Sequence, residues 1–377
     1  MRKCIVISDS FKGTLSSLEI CAIARRVIPE CLEGRECICI PAADGGEGTV
    51  EAFISAAGAV PAEVTVSDSL GRPVPARYAV LGSTAVIEMA AAAGLPSAGD
   101  LRDPSRTTTF GAGELIRHAV KSGCREILLG LGGSATNDGG CGCAAALGVR
   151  FTGRDGRSFV PVGGTLRDIR HIDTRPAEEF LRGVRIRAMS DVANPLYGEN
   201  GAAYVFAPQK GADAEMVKML DGGLRHLSKV CISELGRDVS SVPGAGAAGG
   251  MGGGCIAFLG AEISSGTEAV LELTGFSELL DGAELVISGE GRVDAQSFEG
   301  KLLSGVAAAA KAKNVPLLVI SGCIDDSALK PAADAGVTAM FSTNRAGLPF
   351  EELKGRAAGD YEAALRDVLR TVAAFTA

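Results

Sequence analysis

The sequence predicts an α/β protein in two parts: a discontinuous five-stranded parallel sheet and an inserted second α/β domain that contains a mixed sheet. Three observations carry this expectation. Strand and helix patterns alternate at the front of the chain and again at the back. A run of antiparallel strand patterns interrupts them. The 377 residues suffice for two domains with sizeable cores.

Cys4 to Ser8 reads as a short apolar strand, and Ser16-Ser17-Leu18-Glu19 as a capping box. The helix behind it shows Ile20, Ile23, Ala24, Val27 and Ile28 at helical spacing. Cys37 to Ile40 lacks polar alternation and predicts a strand buried on both faces, followed by a helix from about Glu47 to Ala57. Glu63–Val66, Val74–Leu81 and Thr84–Met89 then form a meander joined by short turns. After it come a helix near 110–122, a strand at 126–131, a helix from about Gly139, strands near 149–152 and 185–189, and a long helix over 214–234 capped by Asp213. The alternating rhythm returns with strands at 284–288, 316–320 and 337–341. The last helix carries Tyr361, Leu365, Val368, Leu369, Val372 and Phe375 on one face. Two strands in front and three behind make a flavodoxin-like sheet of order 2-1-3-4-5. Residues 1–60 and 283–377 are assigned to it, and 61–282 to the insert.

A net charge of −8 argues against nucleic acid or an anionic membrane as the main partner. The apolar run at the N-terminus is too short for a signal peptide, and no segment approaches a membrane span, so a cytoplasmic protein is expected. Eleven cysteines without a C-x-x-C pair, and three scattered histidines, suit reduced core thiols better than zinc. A homodimer is compatible with the sequence but not specified by it.

In a sheet of this order, ligands bind beyond the carboxyl ends of the strands. Three such ends carry Ser8-Asp9-Ser10-Phe11-Lys12-Gly13, Ala43-Asp44-Gly45-Gly46-Glu47-Gly48 and Ser288-Gly289-Glu290-Gly291-Arg292-Val293-Asp294. One loop of this kind is an ordinary turn with solvated charges; three on one rim indicate a site. The residue types suit phosphoryl transfer. Carboxylates hold Mg²⁺ with phosphates and water completing its octahedron, and Glu290 and Asp294 are the metal candidates. Lys12, Lys210, Arg292 and Lys301 are placed to neutralise phosphate charge. Asp9, Ser10, Asp44, Gly45, Gly46 and Glu47 complete the binding set on this rim.

The insert adds two polar loops. Gly130 to Gly140 has five glycines in eleven residues, with Ser134, Asn137 and Asp138 as ligand contacts. Ser190-Asp191-Val192-Ala193-Asn194-Pro195 offers Asp191 as base for a substrate hydroxyl and Asn194 as a contact, although a turn or N-cap explains Asp191 equally well. Pro243 to Gly254 is too glycine-dense for an ordinary turn. It reads as a phosphate-cradling or closing loop through Gly244 and Gly246, with a flexible linker as the rival account. No Walker A motif exists, and no G-x-G-x-x-G follows the first strand. His118, Cys141, Cys143 and Thr107-Thr108-Thr109 are read as structural.

Together, Asp9-Ser10-Phe11-Lys12-Gly13, Ala43 to Gly48, Gly132 to Gly140, Pro208-Gln209-Lys210-Gly211, Pro243-Gly244-Ala245-Gly246 and Gly289 to Asp294 resemble the bacterial glycerate kinase family, the type without a P-loop. The resemblance runs in order from about residue 3 to 350. It implies ATP-dependent phosphorylation of D-glycerate, in most bacterial members to 2-phosphoglycerate, with 3-phosphoglycerate as the other regiochemistry. It also implies a flavodoxin-like domain with an inserted α/β domain and a site between them. Asp191, Lys12 and Lys210 are then the catalytic candidates. Ser8 stands where the family commonly has proline, and Ala193 replaces a usual polar residue. Two rivals from other classes are an NAD-dependent oxidoreductase on a Rossmann-like sheet, which lacks its fingerprint here, and a non-catalytic sugar-acid sensor.

Overall fold

In the computed structural model, which describes residues 3–42, 46, 48–99 and 102–376, the main strands in chain order are β1 (Lys3–Ser8), β2 (Glu36–Pro41), β3 (Val60–Ser67), β4 (Pro73–Leu81), β5 (Thr84–Glu88), β6 (Glu126–Gly130), β7 (Arg185–Met189), β8 (Glu262–Ser264), β9 (Ala283–Ser288), β10 (Leu317–Ser321) and β11 (Ala339–Ser342). Residue contacts divide the chain into two compact units. The first comprises Met1–Ala43, Ser55–Ala57 and Thr267–Ala377, and the second Asp44–Ile54 and Gly58–Gly266. Among the described residues no helix is long and apolar enough to cross a membrane.

The sheet of the first unit has five strands in the order β11-β10-β9-β1-β2, every pair parallel. Counted along this unit, that is the expected 2-1-3-4-5 order. Ile5, Val6 and Ile7 of β1 are fully buried, as a strand covered on both faces requires. The helix Ser17–Cys31 starts on the predicted capping box, with Ser16 and Glu19 each accepting from the other's backbone. It packs beside the last helix, Ala357–Thr376, through bidentate Arg26–Glu362 bonds of 2.9 and 2.6 Å and an Arg366–Glu30 pair at 2.7 Å. Phe375 departs from the expected apolar face: it is 88% exposed in the last turn of that helix.

The second unit holds a six-stranded mixed sheet, β8-β7-β6-β5-β4-β3. β5 to β8 are parallel, and the meander β3-β4-β5 is antiparallel as its short turns predicted. The strand at Arg150–Thr152 instead joins Ser158–Phe159 and His171–Asp173 in a small separate sheet. Asp213 caps the long helix Ala214–Leu235, its carboxylate accepting from Met216 N. Eight of the eleven cysteines are buried and all are free thiols, in line with core packing. His118 bonds the Tyr78 hydroxyl at 2.9 Å within this unit's core.

One core residue bears directly on a rim loop of the first unit. Tyr361 is buried, and its ring meets Phe11 edge-on at 5.7 Å, so the last helix braces the segment between Ser10 and Lys12. Its hydroxyl has no partner among the described residues. Removing it in Tyr361→Phe should therefore raise stability by about 1 kcal/mol. The check is the urea midpoint at unchanged m-value; a lower midpoint would show that the hydroxyl is bonded after all.

Candidate active site

The carboxyl ends of the parallel strands carry the candidate residues of each unit. In the first unit β1 and β9 end side by side. The Ser8 hydroxyl donates to Gly289 O at 2.8 Å, and Asp9 N donates to the same oxygen at 2.9 Å. Ser8, the departure from proline, thus ties two rim loops together. A Cβ at Gly289 would overlap Ile320 O, so the β9 loop lies directly on the β10 backbone. Asp9 Oδ1 accepts from Ser10 N at 2.6 Å.

Glu290 is half-buried in this rim, and burial raises its pKa first of all. Ser297 and Lys301 oppose the shift, while Asp9 and Asp294 add to it by repulsion. These three carboxylates therefore sense one another's charge. Asp294 also caps the turn Ala295–Phe298. Arg292 reaches Asp325 at 3.0 Å, so its charge is already partly matched. Lys12 and Lys301 are exposed, the latter at the start of the helix Leu302–Ala312. Gly46 accepts from the Thr49 hydroxyl at 2.7 Å; Asp44, Gly45 and Glu47 lie outside the described residues. Among the described residues no three carboxylate, thiol or imidazole groups are arranged to hold a metal by themselves. Mg²⁺ does not demand such a cage, since it is commonly held by one or two carboxylates plus phosphate and water.

In the second unit β5, β6, β7 and β8 end at Glu88, Gly130, Met189 and Ser264, all on one edge. Asp138 follows β6 and is wholly buried. Its Oδ2 accepts from Thr109 N and Oγ1 at 2.7 and 2.9 Å, from Gly142 N at 3.2 Å and from Thr108 Oγ1 at 3.4 Å, and its Oδ1 from Gly140 N at 3.1 Å. Burial pushes this carboxyl up, and the Thr109, Gly140 and Gly142 donors oppose that. With its oxygens engaged in this way, Asp138 pins the loop to two helix starts.

Lys210 is also buried, and its Nζ donates to Ser134 Oγ at 2.9 Å and Thr136 O at 2.6 Å. Burial holds this ammonium down at about 7, with Asp138 opposing. Asp191 follows β7, is exposed, and accepts from Ser265 Oγ at 3.2 Å. Asn194 donates to Asn200 O at 2.9 Å and accepts through its own backbone from Gly246 N at 2.9 Å.

The glycine-dense segment is neither an exposed loop nor a flexible linker. Residues 244–250 are buried, and Ala247–Leu259 is helical apart from a kink where Ala248, Gly249 and Gly250 take positive φ. A Cβ at Gly246 would overlap Pro195 O, one at Gly249 Thr136 O, and one at Gly254 Gly139 O. Packing therefore accounts for Gly244 and Gly246, which support the Asp191 turn from beneath. Thr109 stands at a helix start, as its sequence predicted, whereas sequence reasoning missed Ser265 and Glu88. The last had a signal, a lone carboxylate at the carboxyl end of an apolar strand; its Oε1 accepts from Val50 N at 2.7 Å.

Two outcomes follow from this geometry. Gly249→Ala should cost about 3 kcal/mol or more, because the added methyl meets backbone that cannot yield and φ is +68°. A urea titration checks it, and a loss under about 1 kcal/mol would mean loose packing. Lys210 concerns pH. Its pKa falls from 10.5 to about 7 on folding, so between those values the unfolded chain binds more protons and stability rises with pH. Below about 7 both states carry the charge and the native state bears its full burial cost. Relative to Lys210→Met, the wild type should gain up to about 1.4 kcal/mol per pH unit from about pH 7.5 to 9. Parallel stability curves for the two proteins would contradict the shift.

Residues 4–373 match the model of the glycerate kinase family. Glycerate kinase of Bacillus cereus (strain ATCC 10987 / NRS 248) is 43% identical over 353 residues, 93% of this chain and 92% of that protein. Glycerate 2-kinase of Escherichia coli (strain K12) is 42% identical over 343 residues, 90% of each chain. A crystal structure of a protein assigned as glycerate kinase 2 from Salmonella typhimurium LT2 matches with a TM-score of 0.86 at 38% identity, covering 100% of this chain and 99% of that one. The names these proteins carry support neither the oxidoreductase nor the sensor reading. By the extent of these matches, the chain belongs to the glycerate kinase family.

Proposed function

We propose that this chain transfers the γ-phosphoryl group of Mg²⁺-ATP to the 2-hydroxyl of D-glycerate, forming 2-phosphoglycerate. The observation that carries the reading is family membership over residues 4–373, in a chain that keeps the charged and polar candidates at its strand ends. The 42% identity to an E. coli glycerate 2-kinase supports the choice of hydroxyl.

Phosphoryl transfer through a loose transition state asks a protein mainly for positioning and charge. Asp191 takes the hydroxyl proton, oriented by its bond from Ser265 Oγ. Lys12, Arg292 and Lys301 meet phosphate charge, and Asp9, Ser10, Asp44, Gly45, Gly46, Glu47 and Asn194 line the bound molecules. The mutual repulsion around Glu290 fits a divalent cation held with Asp294, since a cation would relieve it. Bound Mg²⁺ supplies charge neutralisation on the phosphates.

Purified protein with ATP, Mg²⁺ and D-glycerate should release ADP, and phosphorus NMR should show the phosphate on the carbon bearing the carboxyl group. Absence of ADP would overturn the reading, and a 3-phospho product would correct its regiochemistry. Asp191→Asn should lower kcat about 100-fold or more with the glycerate KM within several-fold of wild type. An unchanged kcat would remove Asp191 from the role of base.

A further inference from the structure

The loop after β6 holds unmatched hydrogen-bonding groups around one buried cation. Lys210 is 2% exposed, yet its ammonium bonds only neutral acceptors, Ser134 Oγ and Thr136 O, among the described residues. The one charged group acting on it there is Asp138, whose oxygens are engaged by Thr108, Thr109, Gly140 and Gly142. On the same loop the Thr136 hydroxyl and both polar atoms of the Asn137 amide are buried with no partner among the described residues. Buried polar groups are normally paired, so three unpaired side-chain atoms beside a buried ammonium need an explanation.

An anion supplies one. Lys210 has three N–H donors of which two are used, and the Thr136 hydroxyl and Asn137 amide each offer a further donor. A carboxylate brings two acceptor oxygens and a single negative charge, which matches a single ammonium. A polyphosphate brings several charges to a group with one cation and is the poorer match. On the same loop Gly133 is exposed with φ +72°, and Ser134, which accepts from the Lys210 ammonium, is 7% exposed.

We propose that Lys210, Thr136 and Asn137 form the subsite for the carboxylate of the phosphoryl acceptor, so that this group selects a hydroxy acid over a neutral polyol. The proposal rests on the reading of the chain as a glycerate kinase and names the element that confers its acid specificity. An anion against Lys210 also opposes the downward pull of burial on that ammonium.

The test is steady-state kinetics of the full chain with wild type, Lys210→Met and Thr136→Val. Lys210→Met should raise the D-glycerate KM by about 30-fold and Thr136→Val by about 5-fold, with the ATP KM within about twofold throughout. D-lactate should compete with D-glycerate in the wild type, and glycerol should not. A rise in the ATP KM with the glycerate KM unchanged, or equal inhibition by glycerol, would overturn the subsite while leaving the kinase reading intact. If the wild type forms no ADP, the kinase reading fails. The subsite is then judged by thermal shift: D-glycerate should raise the Tm of the wild type and not of Thr136→Val. Equal shifts in both would sink it. Thr136→Val, nearly isosteric, carries the same comparison if Lys210→Met does not fold.

Discussion

The second unit depends on backbone packed directly against backbone. Gly246, Gly249 and Gly254 meet the carbonyls of Pro195, Thr136 and Gly139 at separations that leave no room for a Cβ. Gly139 N donates to Gly249 O at 3.1 Å, and Gly246 N to Asn194 O at 2.9 Å, so the contacts are hydrogen-bonded as well as close. One segment therefore locates two loops: the one holding Ser134 to Asp138, and the one holding Asp191 to Pro195. Side chains of any size would push the two loops off it. Asp138 completes the arrangement by binding the starts of two helices with one carboxylate.

This explains how polar residues on flexible-looking sequence are held still. The two loops leave neighbouring parallel strands, with Gly130 opposite Met189 in register, and the kinked glycine helix closes them from below. Burial has electrostatic consequences. Asp138 is buried but surrounded by donors, whereas Lys210 is buried against neutral groups and is pulled down to about 7. The rim of the first unit is built differently. There the carboxylates are only partly buried, and Glu290 rises through burial together with the charge of Asp9 and Asp294. A buried cation beside unpaired donors suits an anion, and gathered carboxylates suit a cation.

Much of the fold was legible because its signals are local. Strand and helix periods alternate in the first unit, so five strands in 2-1-3-4-5 order followed from counting them. Ser16 and Asp213 cap helices as their spacing predicted. The candidate site was legible in residue type but not in role. Asp138 and Asp191 look alike in sequence, each an acid in a polar turn after an apolar strand. Only the long-range contact of Thr109, joined by the local one of Gly142, makes the first an internal pin, while the second stays exposed. Glycine density was ambiguous for the same reason: it permits an open ligand loop and equally a helix packed on backbone. Phe375 followed the helical period but stands exposed in the last turn of its helix.

Hydrogen–deuterium exchange over residues 244–259 tests the role of the glycine segment most directly. If it is a packed support, its amides should exchange slowly in the free protein, close to the rate of global opening, and saturating Mg²⁺-ATP should leave them unchanged. Fast exchange in the free protein that ATP suppresses would contradict the account and make the segment a closing loop.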